Sequence, residues 1–202
     1  MLDRTISAAL PISLLLTFAA CGGRLYKVAP LPASAPPEIS TSASGLNVGA
    51  VALDGDHSYE RFEANLPLAG VIAVDVRMAN KSDAAIRTNS LRFDLRDAAG
   101  ASLKHLAPKK ALGAVMKYYG NGFYAKAAYS RTLEDYESVA LKQTGEIEPG
   151  GELRGIVFFQ TKRETKNVDG LILSIAGLPA PVSLPLQTPR DSGESRSQKS
   201  FD

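Results

Sequence analysis

The sequence predicts a mainly β domain, an antiparallel sandwich with two short inserted helices, preceded by an export signal and a linker. Three observations carry that prediction. Residues 91–96 alternate cleanly, with Leu91, Phe93 and Leu95 on one face and Arg92, Asp94 and Arg96 on the other, the period-two pattern of a half-buried strand. Several further short apolar runs are separated by polar Gly, Pro and Asn turns, as in small all-β domains. Residues 109–119 and 130–142 break this rhythm with apolar residues at helical spacing.

Residues 70–78 form the first clear strand, with Ile72, Val74, Val76 and Met78 on one face and Asp75 and Arg77 on a wetter one. Asn80-Lys81-Ser82-Asp83 is a turn by composition, because short polar side chains bond their own backbone. An earlier pair, residues 46–53 and 57–66, adds two strands. After 91–96, Gly100 turns the chain into residues 102–106. There His105 is expected to face outward. Pro108 suits the first turn of a helix, whose apolar face is Leu112, Val115, Met116 and Tyr119. In the second helix Leu133, Tyr136, Ala140 and Leu141 share a face, and Thr132 with Asp135 three residues on reads as its cap. Glu148-Pro149-Gly150-Gly151 turns into residues 153–159, apolar on both faces and so a central strand. Residues 171–175 follow. Val182, Leu184 and Leu186 then alternate with polar positions, and Pro185 places this last strand at an edge.

The folded part is therefore 45–187, with the helical insertion at 108–142. Residues 21–44 are rich in Pro, Ala and Ser. That composition predicts an extended spacer reaching up to roughly 60 Å. Residues 188–202 are polar and read as a disordered tail.

Near the N-terminus stand Arg4, then an apolar run over 6–20, then the only cysteine, Cys21. The run is shorter than the roughly 20 residues of a spanning helix and contains Pro11. A short apolar core before small residues is the pattern of a cleaved signal. Phe18-Ala19-Ala20-Cys21 resembles the lipobox of bacterial lipoproteins, with Phe18 where leucine is usual. That resemblance implies a signal peptide over 1–20 and lipidation of Cys21 by palmitate-like acyl chains. It also implies a protein held in the cell envelope, on the outer membrane facing the periplasm if the source is Gram-negative. Gly22 stands where some lipoproteins carry an inner-membrane retention aspartate.

Within the domain, Phe62-Glu63-Ala64-Asn65-Leu66, the strand at 70–78 with Asn80-Lys81-Ser82, and Glu148-Pro149-Gly150-Gly151 before Gly155 and Phe158-Phe159 are similar to uncharacterised bacterial lipoproteins with an immunoglobulin-like β-sandwich. The likeness implies a fold and a compartment. It transfers no catalytic residue.

Net charge is +2, which excludes the strongly basic surface of a nucleic-acid binder. Two histidines, His57 and His105, offer no metal-ligand spacing, and no cofactor is expected. Asp54-Gly55-Asp56 beside His57 lacks the further oxygens of a calcium loop. The most unusual segment is Tyr118-Tyr119-Gly120-Asn121-Gly122-Phe123-Tyr124, with Tyr129. Tyr118, Tyr119, Phe123 and Tyr124 are candidate binding residues, since tyrosine offers rigid contact area with a polar tip. The alternative is that Tyr119 and Phe123 fix the helices onto the sheet. Lys104, Lys109, Lys110, Lys117 and Lys126 accompany them in the sequence. The expected function is a non-catalytic binding or assembly module. It is tethered through acylated Cys21 and partners an envelope protein or, second, a glycan. The alternatives are an envelope hydrolase using carboxylates such as Glu134 and Asp135, or a structural or stress lipoprotein.

Overall fold

The computed structural model describes residues 23–31, 40–43, 45–122, 124, 126–161, 164–165, 168–178 and 180–186. Cys21, Phe123, the signal segment and the C-terminal tail lie outside them. The chain order is β1 (Ser40–Ala43), β2 (Leu46–Ala52), α1 (Gly55–Phe62), β3 (Val71–Asn80), β4 (Ile86–Arg87), β5 (Arg92–Arg96), β6 (Ser102–Leu106), α2 (Pro108–Tyr118), α3 (Lys126–Val139), β7 (Glu146–Ile147), β8 (Glu152–Gln160), β9 (Ile172–Ala176) and β10 (Val182–Pro185). Eight strands form one antiparallel sheet in the order β1-β2-β3-β8-β6-β5-β9-β10, while β4 pairs with β7. The two end strands approach each other, so the sheet nearly closes into a barrel. The mainly β, antiparallel character expected from the sequence is what the structure has. As Pro185 predicted, β10 is an end strand.

Two cores follow from the strand alternation. Ile72, Val74, Val76 and Met78 of β3 point inward with Val48, Val157, Phe159, Leu173, Ile175 and Leu184. The opposite faces of β3 and β8 bury Val71, Ala73, Ile156 and Phe158 under the three helices. In α2, Ala111, Leu112, Val115 and Met116 supply the apolar face, and Pro108 occupies its first turn. An aromatic trio joins the layers. Phe62 of α1 lies 5.0 Å from Tyr136 of α3 and 5.8 Å from Phe158 of β8, centroid to centroid. Where the helical insertion returns to the sheet, the Leu141 N–H donates to the Ile156 carbonyl at 2.9 Å. Gly155 permits that approach, because a Cβ there would stand 2.4 Å from the Leu141 Cα.

Three expectations change, and one holds for a different reason. Residues 57–66 do not form a strand. Asp54 caps a helix there, its Oδ1 accepting from the His57 N–H at 2.9 Å, and Ser58 and Phe62 are the residues that helix buries. Asp75 is not on a wet face. It is 3% exposed and takes a two-pronged bond from Arg154 at 2.8 and 3.2 Å, because the helical layer covers that side of β3. Thr132 does not cap α3. It lies inside the helix, buried, donating to the Ala128 carbonyl at 2.9 Å. His105 is exposed, but it shares the face of Leu103, two residues away. It pairs in register with Phe159, its ring edge-on to that phenyl at 5.7 Å.

The most consequential difference concerns residues 23–31, read from composition as part of a free spacer. They lie across the helical layer. Tyr26 is buried there, with Leu25, Val28 and Leu31 packed against the same core. Arg24 pairs with Asp135, and the Leu25 N–H donates to Thr132 Oγ1 at 2.8 Å. The Lys27 N–H donates to Glu63 at 3.0 Å, and the Ala29 N–H to the Arg61 carbonyl at 2.7 Å. Four apolar side chains among the prolines suffice to dock a strap. The remaining spacer residues 32–39 are outside the described set, and β1 begins at Ser40, five residues earlier than the expected domain boundary.

Asp54 also sets an acid response. Burial alone would raise its carboxyl, but bonds from the His57 N–H and ring outweigh that and hold it below the usual carboxylate range. A folded value below the unfolded one contributes stability that is present above about pH 4 and lost as pH falls through the folded value. Asp54→Asn keeps a capping side chain. The melting-temperature gap between wild type and variant is therefore expected to shrink between pH 7 and pH 3. A constant gap across that range would contradict the assignment.

Candidate functional site

The strap and the α2–α3 connection together build one surface. Gly120 ends α2 with a φ of +69°, a conformation that side-chain-bearing residues rarely adopt. The chain thereby leaves the helix after Tyr118, its last residue, with Tyr119 as the C-cap. The Tyr119 hydroxyl accepts the Asn65 N–H at 2.9 Å, tying this turn to the segment after α1. Its ring stands perpendicular to Tyr118 at 5.0 Å and tilted against Tyr26 of the strap at 6.2 Å. Asn121 donates its amide to the Tyr26 hydroxyl. Tyr124 stacks on Tyr129 of α3 at 5.3 Å. Beside this pair is an open cleft of about 510 Å³, lined by Met116, Lys117, Asn121, Tyr124 and Tyr129 with three glycines.

The four tyrosine and phenylalanine candidates thus separate. Tyr118, Tyr119 and Tyr124 are 40%, 42% and 44% exposed, and Phe123 lies outside the described residues. Tyr119 serves both alternatives, fixing the frame with its hydroxyl while presenting its ring. The sequence reading missed Tyr26. Its signal is a tyrosine count rather than a motif, and only the fold brings residue 26 to residue 121.

The lysines do not form one patch. Lys109 and Lys110 begin α2 while Lys117 ends it, about 12 Å further along the axis. Lys104 is on β6, so only Lys117 and Lys126 flank the tyrosines. Asp135 is occupied by Arg24, and Asp54 and His57 by the start of α1. No group of three or more His, Cys, Asp or Glu suited to a metal occurs among the described residues.

Directly beneath the surface sits Tyr136, whose buried hydroxyl has no hydrogen-bond partner among the described residues. Burial, with smaller contributions from Tyr26 and Tyr119, raises its pKa far above the ordinary phenol value. An unsatisfied buried hydroxyl costs about 1–3 kcal/mol. Tyr136→Phe is therefore expected to stabilise the protein by about 1 kcal/mol, a rise of about 2–4 °C in Tm for a domain of this size. Thermal unfolding checks this, and a lower Tm would show that the hydroxyl is satisfied.

The fold and surface define an antiparallel, mainly β domain carrying a helical layer and a strapped, tyrosine-rich face. No family model matches the chain, and no curated protein matches it. Among solved structures it is similar to the yjhA protein from Bacillus subtilis, at 13% identity and a TM-score of 0.36, over 67% of this chain and 75% of that one.

Proposed function

We propose that the protein is a lipid-anchored module of the cell envelope that works by binding and assembly rather than catalysis, with the tyrosine face as its contact surface. Its partners are the membrane, through acylated Cys21, and a component of the same envelope. In a Gram-negative source the site is the periplasmic side of the outer membrane. The observation that carries this reading is that exposed Tyr118 and Tyr119 pack on a hydrogen-bonded frame, with exposed Tyr124 stacked on Tyr129, beside the segment that leads back to Cys21. Rigid, amphipathic side chains on a fixed frame lose little entropy on contact. An immunoglobulin-like arrangement belongs to the same proposal. The strand groups β1-β2-β3-β8 and β6-β5-β9-β10 enclose the inner core from two sides, as stacked sheets do.

Metabolic labelling with palmitate tests the anchor, with Cys21→Ser as control. Label retained in the variant refutes it. A photo-crosslinking residue placed at 118 or 124 in intact cells tests the surface, with position 172 on β9 as the comparison. Adducts, to lipid or to protein, confined to 118 and 124 are expected. Equal adducts at 172, or none at 118 and 124, would remove the tyrosine face from the proposal.

A further inference from the structure

We infer that the tyrosine face lies on the lipid headgroups of the membrane that holds Cys21, an inference that rests on acylation of that residue. The reach of the chain carries it. Cys21 precedes Arg24 by three residues, which span at most about 11 Å when fully extended. Arg24 is fixed to Asp135 and Leu25 to Thr132, both on α3. The acyl chains therefore enter the bilayer within that distance of the strap's start on α3, and the domain has no room to stand away from it.

The chemistry of the face agrees with its position. Tyr26 lies between this starting point and the α2–α3 turn, bonded to Asn121 and packed on Tyr119. Tyr118, Tyr119 and Tyr124 are exposed there. Tyrosine is favoured at the membrane–water boundary, where its ring meets the acyl border and its hydroxyl the headgroups. Lys117 and Lys126 flank the rings and favour anionic lipid. Glu134 and Glu137 of α3 and Glu63 beside the strap oppose them, so the rings rather than net charge dominate the contact. The opposite half of the sheet, β5-β9-β10, contributes nothing to the core beneath the helices. Ile172 on β9, 41% exposed, is therefore a marker of the far side.

The chain contains no tryptophan, so a single one introduced by substitution is a clean reporter. The full chain, matured in a bacterial host and purified in detergent, is returned to phosphatidylethanolamine–phosphatidylglycerol vesicles with brominated acyl chains. Tyr124→Trp and Tyr118→Trp are compared with Ile172→Trp. Several-fold stronger bromine quenching at 124 and 118 than at 172 is expected. Equal quenching at all three, or none, on vesicle-bound protein overturns the membrane-facing assignment while leaving the anchor standing. So do protein adducts at 118 and 124 without quenching. Mass measurement of the N-terminal peptide reads the anchor separately. An unmodified Cys21 refutes both readings. Two reporters guard against one substitution disturbing the turn, and near-ultraviolet circular dichroism confirms that each variant is folded.

Discussion

Asp75→Ala is expected to destabilise the domain by about 3 kcal/mol, and Arg154→Met alone to do much the same. The Asp75 carboxylate is 3% exposed, and both of its oxygens accept from Arg154. Removing either partner breaks this two-pronged pair on the side of β3 and β8 that faces the helical layer, at a typical cost of about 3–5 kcal/mol. Arg61 lies close enough to feel the same field. Burial pulls its guanidinium below the ordinary value, and Asp75 opposes that. Losing Asp75 leaves two cations facing each other. The double variant Asp75→Leu with Arg154→Met removes both charges and is expected to recover to within about 1 kcal/mol of wild type, since paired apolar replacements of buried ion pairs are often neutral. Chemical denaturation of the four proteins measures the cycle. Additive losses in the double variant would show that the two residues act independently.

Phe158→Ala is the second large effect, about 3–5 kcal/mol. Its ring is 5.8 Å from both Phe62 and Tyr136 and is 1% exposed. It is the point at which β8 holds α1 and α3 together. The loss is expected to be uneven. Amide exchange in α2, α3 and the strap should rise well before that of β9 and β10, whose side chains belong to the inner core. Uniform loss of protection would mean that the two cores unfold as one unit.

Much of this architecture was legible because it depends on local periodicity. The alternation of Leu91 and Leu95 with Arg92, Asp94 and Arg96 needs only one covered face, and α2 needs only Pro108 and four apolar positions. The two-sided apolar run at 153–159 indicated a strand covered twice, and β8 lies between β3 and β6 with cores on both sides. What stayed hidden depends on which faces are covered by something distant. Asp75 obeys the strand alternation, and only the helical layer makes its side dry. Residues 57–62 are too few to show a helical period, and the decisive clue, Asp54 as an N-cap, looked like a turn. Leu25, Tyr26 and Val28 sit in a composition dominated by proline and alanine, so their docking on a helix more than 100 residues away left no local trace. The tyrosine segment at 118–124, with Tyr129, could be found from sequence, but its frame of Asn65 and Tyr26 could not.

The strap has a consequence for the order of events during synthesis. Its partners Thr132 and Asp135 follow Leu25 and Arg24 by 107 and 111 residues. At about 5–20 residues per second, the N-terminal segment waits roughly 5–20 s before its binding surface has been made. Contacts of such sequence separation also form late for entropic reasons. The first described residues to leave the ribosome are thus among the last to find their place, and for that interval the segment stays accessible to whatever enzymes handle a nascent chain.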